Sequence, residues 1–197
     1  FHSTRGLDKD KTFADILMQG LASDGGLFMP DTWPQVEIEK IESMQSFQEI
    51  AEYIVPFFTA SSFSEQETLK VLKDAWHDFE IESLIKIKSF NNYSILELFH
   101  GPTAAFKDFG LQLAAAFFNE ILNQENKTAL VLGATSGDTG SAAIDSCKKY
   151  SRIKSFIMLP NGNMSQIQRR QMTTVMSENV RAIRVNGTFD DCQDLVK

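Results

Sequence analysis

Two stretches carry residue types able to do covalent chemistry or hold an anion. The first is ELFHGPTAAFKDFGLQ, Glu97 to Gln112, where one lysine, Lys107, stands beside Phe106 and, past Asp108, near Phe109. Taken by itself, a lysine at this place reads as a solvated helix residue. The aromatic neighbours tilt that reading, because restricting water weakens the charged form of an amine. A neutral amine is a nucleophile that condenses with a carbonyl group. The second stretch is GATSGDTGSAA, Gly133 to Ala143. It lacks the closing Gly-Lys-Ser/Thr of a nucleotide phosphate loop and does not match the Gly-x-Gly-x-x-Gly fingerprint. Gly137 and Gly140, with Thr135, Ser136, Asp138 and Thr139 around them, let backbone N–H groups and hydroxyls converge on an anion at a helix start. The acid at Asp138 suits a small carboxylate, or a contact with a ring or hydroxyl, better than a highly charged phosphate. An ordinary capped turn satisfies the same spacing, so both readings stand at this point.

Both stretches need a scaffold. Strand-like runs at Tyr93–Phe99, Thr128–Leu132, Ile153–Leu159 and Val180–Val185 alternate with helix-like runs at Phe106–Leu122, Thr139–Lys149 and Ser165–Met176. This rhythm predicts βαβ units and a parallel sheet, whose strand ends bind ligands. The lysine and the Gly-rich loop each follow a predicted strand. The first part of the chain instead predicts helices. Thr12 caps Phe13, Ile16, Leu17 and Leu21, a run ending at Asp24-Gly25-Gly26. Phe47 to Phe58 forms a second stripe, with Pro56 kinking or ending it. Ser64 and Glu67 make a capping box before a third. No strand alternation is evident there. The predicted architecture is therefore α/β: a small, mostly helical domain over 1–80, then the first part of a parallel-sheet domain over 81–197.

Bulk properties narrow the partners. The 197 residues are 43% hydrophobic, 23% charged and carry a net charge of −7. This balance is that of a globular protein and argues against nucleic acid or an anionic membrane as main partner. No apolar run approaches the roughly 20 residues of a membrane span. Cys147 and Cys192 match no metal spacing and read as free thiols of a cytoplasmic protein. His77 has no metal-spaced companion. A first residue other than Met, and a helical pattern running into the last residues, predict a piece of a longer protein.

An aldehyde cofactor such as pyridoxal 5'-phosphate needs a lysine amine, a cover for its π face, an anion cup for its phosphate and a place for the substrate carboxylate; this chain supplies the amine and a carboxylate cup on consecutive strand ends. ELFHGPTAAFKDFGLQ followed by GATSGDTGSAA closely resembles threonine synthase, a fold-type-II pyridoxal-phosphate family. STRG, FADILMQGLASDGGLFMP, SQIQRRQMTT and NGTFDDCQDLVK resemble the same family in the same order, so the likeness covers nearly the whole chain. It implies that Lys107 is the Schiff-base lysine and proton carrier. It implies that Thr135, Ser136, Gly137 and Thr139 receive the substrate carboxylate, and that Asp138 lies beside the cofactor ring, where relatives often carry Asn. His100, Gly101, Pro102 and Thr103 belong to the family's motif, with His100 holding the turn through a hydrogen bond. Asn163 stands where many relatives carry a base; Arg169, Arg170 or Arg5 are the candidates to compensate. The implied reaction converts O-phospho-L-homoserine and water to L-threonine and phosphate, in a monomer or homodimer. The cofactor-phosphate loop is expected after Lys197, so this fragment is expected to be inactive alone. The competing readings are a serine or threonine dehydratase, a non-catalytic ligand-binding relative and, more remotely, a nucleotide-binding module.

Overall fold

The computed structural model describes residues 1–162 and 164–196, and Asn163 lies outside them. The chain divides into two compact units, Phe1–Asp74 and Ala75–Lys197.

In the first unit, β1 (His2–Ser3) pairs antiparallel with β2 (Phe28–Met29); α1 (Phe13–Gln19) lies between them in the chain, and α2 (Ile38–Ser43), α3 (Phe47–Thr59) and α4 (Glu65–Ala75) follow. The capping predictions hold: the Thr12 hydroxyl accepts from Asp15 N–H, and Ser64 exchanges hydrogen bonds with Glu67. Three details differ. The helix at Phe13 ends at Gly20, where φ is 76°, a left-handed turn that glycine enters without a Cβ penalty. Pro56 sits inside α3, which continues to Thr59, so it does not end the helix. The two-residue strands β1 and β2 are too short to show alternation in sequence.

The second unit opens with β3 (Lys86–Ser89) and β4 (Ser94–Glu97), an antiparallel hairpin. Then come α5 (Lys107–Gln124), β5 (Ala129–Ala134), α6 (Asp138–Lys148), β6 (Ile153–Pro160), α7 (Gln166–Thr173), β7 (Val180–Val185) and α8 (Phe189–Val196). Strands β5, β6 and β7 form a parallel sheet in that order. The strand expected at Tyr93–Phe99 therefore pairs with β3 and not with the parallel sheet. Its partner was hidden because Lys-Ile-Lys-Ser carries one apolar residue, and Asn91-Asn92 supplies a tight turn. Ile144 and Cys147 of α6 pack with Ile153 and Ile157 of β6, Val180 of β7, Met172 of α7 and Leu122 of α5 in one core. Asn179 locks the α6–β6 connection: its Nδ2 donates to the carbonyls of Cys147, Tyr150 and Ile153 at 2.8–2.9 Å. Both cysteines are free and buried, and desolvation pushes both thiols up.

Candidate active site

The lysine loop leaves β4 at a buried carboxylate. Glu97 accepts from Lys88 Nζ at 2.6 Å on one oxygen and faces His100 Nε2 at 3.0 Å with the other. The Lys88 contact, with help from His100, holds this carboxyl below its ordinary range against the cost of desolvation. Beyond His100 the chain turns, Ala104 N–H donating to Gly101 O at 3.0 Å. A buried acid pins the turn from below. Asp108, in the first turn of α5, is fully buried and accepts from Thr103 N at 2.9 Å and Thr103 Oγ1 at 2.7 Å. Burial raises its pKa, and the charge of Asp145 adds to the rise. Gly101 makes this contact possible, since a Cβ there would lie 2.5 Å from Asp108 Oδ2. Ala104 adopts φ 57°, a left-handed conformation that costs a residue with a Cβ about 1 kcal/mol. The loop delivers Lys107, half-buried, with Nζ 4.3 Å from the centroid of the Phe106 ring. Among the described residues no carboxylate lies within ion-pair distance of that amine.

The Gly-rich loop leaves β5 and opens α6. Thr135 is buried, and its hydroxyl is saturated by the loop itself. It accepts from Gly137 N at 3.1 Å and Gly140 N at 3.0 Å and donates to Gly137 O at 3.2 Å. Gly140 permits this, because a Cβ there would meet Thr135 Cγ2 at 2.2 Å and Met172 Sδ at 2.7 Å. Ser136, Asp138 and Thr139 are exposed. Their amide N–H groups have no acceptor among the described residues, those of Asp138 and Thr139 because they stand in the first turn of α6. The loop thus presents three N–H groups and the hydroxyls of Ser136 and Thr139 outward, with the positive end of α6 behind them. Asp138 does not oppose this field alone, because its Oδ1 accepts from Gln168 Nε2 of α7 at 2.6 Å. One helical turn on, Gln171 Nε2 donates to Thr103 O at 2.8 Å. Helix α7 therefore touches both loops.

Comparison with known proteins agrees with this geometry. Residues 1–76 match the family described as threonine synthase N terminus, and residues 80–197 match the family described as pyridoxal-phosphate dependent enzyme. The chain belongs to the pyridoxal-phosphate-dependent enzyme family. Its similarity within that family is to threonine synthases. It is 41% identical to that of Pseudomonas aeruginosa, covering 99% of this chain and 42% of the relative. It is 44% identical to that of Schizosaccharomyces pombe, covering 99% of this chain and 40% of the relative. The pyridoxal-phosphate-bound threonine synthase of Brucella melitensis superposes with a TM-score of 0.92 at 39% identity, over 99% of this chain and 43% of that one. The chain thus spans about two-fifths of the length of these relatives.

In this member of the pyridoxal-phosphate-dependent family the donor set fits the cofactor: an amine without a carboxylate partner among the described residues, an aromatic ring against it, and a Gly-rich loop with unpaired amides at a helix start. Of the arginines expected to compensate for Asn163, one lies in the first unit and two on α7. Arg5 Nη1 donates to Asp24 O at 2.8 Å, bracing a turn whose Asp24 carboxylate also accepts from Ser3 Oγ at 2.6 Å. Arg169 and Arg170 are exposed on α7. Arg170 follows Gln168 by two positions, about 200° round the helix and so away from Asp138. His77 is exposed next to Asp78, at 3.1 Å. Sequence reasoning passed over Asp108, Gln168 and Gln171. The trace was there in Gln-x-x-Gln-Met, which puts Gln168, Gln171 and Met172 on one helix face, but polar residues at helical spacing also read as a solvated stripe.

Proposed function

We propose that this chain supplies the lysine and the substrate-carboxylate cup of a pyridoxal-phosphate-dependent threonine synthase, acting on O-phospho-L-homoserine and water to give L-threonine and phosphate. The carrying observation is the pairing of an uncommitted lysine, Lys107, with a loop whose outer N–H groups are free, the two tied to one helix. We place the domain boundary near residue 80 and take the enzyme to be cytoplasmic, a monomer or homodimer. Among the described residues, no helix is long and apolar enough to cross a membrane.

When bound, pyridoxal phosphate supplies an electron sink for carbanion chemistry next to the substrate amine. The chain's own residues do the rest. Lys107 Nζ would hold the cofactor and then take and return protons at the substrate's α and β carbons, as a positioned amine without a carboxylate partner among the described residues can. The Phe106 ring lies against that amine and favours it by a cation–π contact when it is charged. The amides of Ser136, Asp138 and Thr139, with the hydroxyls of Ser136 and Thr139, receive the substrate carboxylate. Thr135 and Gly137 shape the cup from inside it. Asp138, oriented by Gln168, would be the residue beside the cofactor ring.

The test uses the full-length protein loaded with pyridoxal phosphate. Borohydride reduction followed by peptide mass mapping is expected to leave the label on Lys107. O-phospho-L-homoserine is expected to yield threonine; a ketoacid product would favour a dehydratase. Lys107→Ala should abolish turnover and the label together. Retained turnover would sink the assignment.

A further inference from the structure

We propose that Gln168 and Gln171 of α7 act as a two-point brace that sets the lysine loop against the Gly-rich loop. Both are positioning residues. They stand three residues apart on one face of the helix, where Cβ atoms lie about 5–6 Å from each other. Gln168 holds the Asp138 carboxylate at 2.6 Å, and Gln171 holds the Thr103 carbonyl at 2.8 Å. Each bond runs in one sense only, because a carboxylate or carbonyl oxygen accepts and the glutamine amide donates. The helix itself is seated by missing side chains. A Cβ on Gly137 would meet Gln168 Nε2 at 2.8 Å, and one on Gly140 would meet Met172 Sδ at 2.7 Å. Gln168 and Met172, four apart, thus sit over Gly137 and Gly140, three apart, while Gln171 reaches across to the other loop.

The point it reaches matters. Thr103 O precedes Ala104, the residue held at φ 57° three positions before Lys107. Asp108 clamps Thr103 from its N–H and hydroxyl side, and Gln171 clamps it from its carbonyl side. Every polar group of Thr103 is therefore bound, and one of the three bonds comes from the helix that also holds Asp138. A displacement of either loop is carried to the other through a single helical turn.

The consequence for turnover rests on the function proposed above; the coupling of the loops does not. The experiment accordingly has two readouts on the full-length protein, with wild type, Gln168→Met and Gln171→Met. Methionine keeps the length and volume of glutamine and removes the donor. In the cofactor-free protein, amide hydrogen exchange is read at Thr103 and Ala104 in one loop and at Gly137 and Gly140 in the other. Each substitution is expected to speed exchange about fivefold in both loops, including the one it does not touch. Gln168→Lys, which keeps a donor for Asp138, is expected to leave both at the wild-type rate. A change confined to the touched loop, no change, or faster exchange throughout the unit overturns the brace. In the loaded protein, both Met variants are expected to lower kcat about tenfold with little change in KM. A wild-type kcat in both overturns the catalytic role of the brace. If wild type takes no label on Lys107, the proposed function fails, and the exchange result still decides the brace.

Discussion

The two loops that carry the candidate site each contain an aspartate in the first turn of the helix they open, and those aspartates do opposite things. Asp108 is fully buried beneath its loop and binds Thr103 twice. Asp138 is exposed and binds a side chain from another helix. The loop with the buried acid delivers a side chain and holds one residue in a left-handed conformation to do so. The loop with the exposed acid is shaped by a hydroxyl, that of Thr135, and leaves its outer N–H groups available. A loop that must aim one amine is pinned from inside. A loop that must receive an anion satisfies its inner N–H groups and keeps the outer ones unpaired.

This contrast is broken most severely at Asp108. Asp108→Ala leaves the buried N–H and hydroxyl of Thr103 without acceptors, and an expected loss of about 2–3 kcal/mol of stability follows even after relief of a desolvated charge. Asp138→Ala removes an exposed partner and should change stability by about 0.5 kcal/mol or less. Urea unfolding of the two variants measures the difference, and equal losses would erase the distinction drawn here. Next in size is Gly140→Ala. The added methyl would lie 2.2 Å from Thr135 Cγ2, so the Thr135 hydroxyl must leave the loop N–H groups or α7 must retreat. Overpacking of this kind costs about 1–3 kcal/mol. Gly110→Ala, whose Cβ meets nothing within 4 Å, should instead stabilise α5 by about 0.5–1 kcal/mol.

How much of this was legible in the sequence follows from the range of the interactions. The helix starts at Thr12, Ser64 and Ser165 are local, made by a side chain and an N–H three residues on, and they could be read directly. So could β6 and β7, whose bounds Ile153–Pro160 and Val180–Val185 nearly coincide with the strand-like runs of the sequence. The lysine and the Gly-rich loop stood out because their residue types are rare in those settings. The contacts that organise the site are not local: Gln168 meets Asp138 across 30 residues and Gln171 meets Thr103 across 68. Nothing in the composition of α7 distinguishes a glutamine that braces a loop from one that faces water. The same limit hid β3, whose only strand signal is its pairing with β4. Thr135 shows it differently: its hydroxyl looked available for an anion, and only the fold shows it bound by its own loop.

The smallest expected effect compares the two buried carboxylates that bracket the lysine loop. Glu97 ends the strand before it and Asp108 lies in the helix after it; Lys88 and His100 hold the first below its ordinary pKa, while desolvation holds the second above. A lowered folded-state pKa adds stability above the unfolded value, about 4.3 for glutamate, and that stability is lost as pH falls through the lowered value. A raised one acts in the other direction: its contribution is complete below the unfolded value, about 3.9 for aspartate, and is lost as pH rises through the raised value. Glu97→Gln should therefore flatten the acid side of the stability curve, and Asp108→Asn the rise in penalty above about pH 4. Urea midpoints taken from about pH 3 to 7 separate the two slopes. If both variants change the curve on the same side, the loop is not held between one stabilised and one strained carboxylate, and the contrast drawn from geometry fails at its weakest contact while the larger effects at Asp108 and Gly140 still stand or fall on their own.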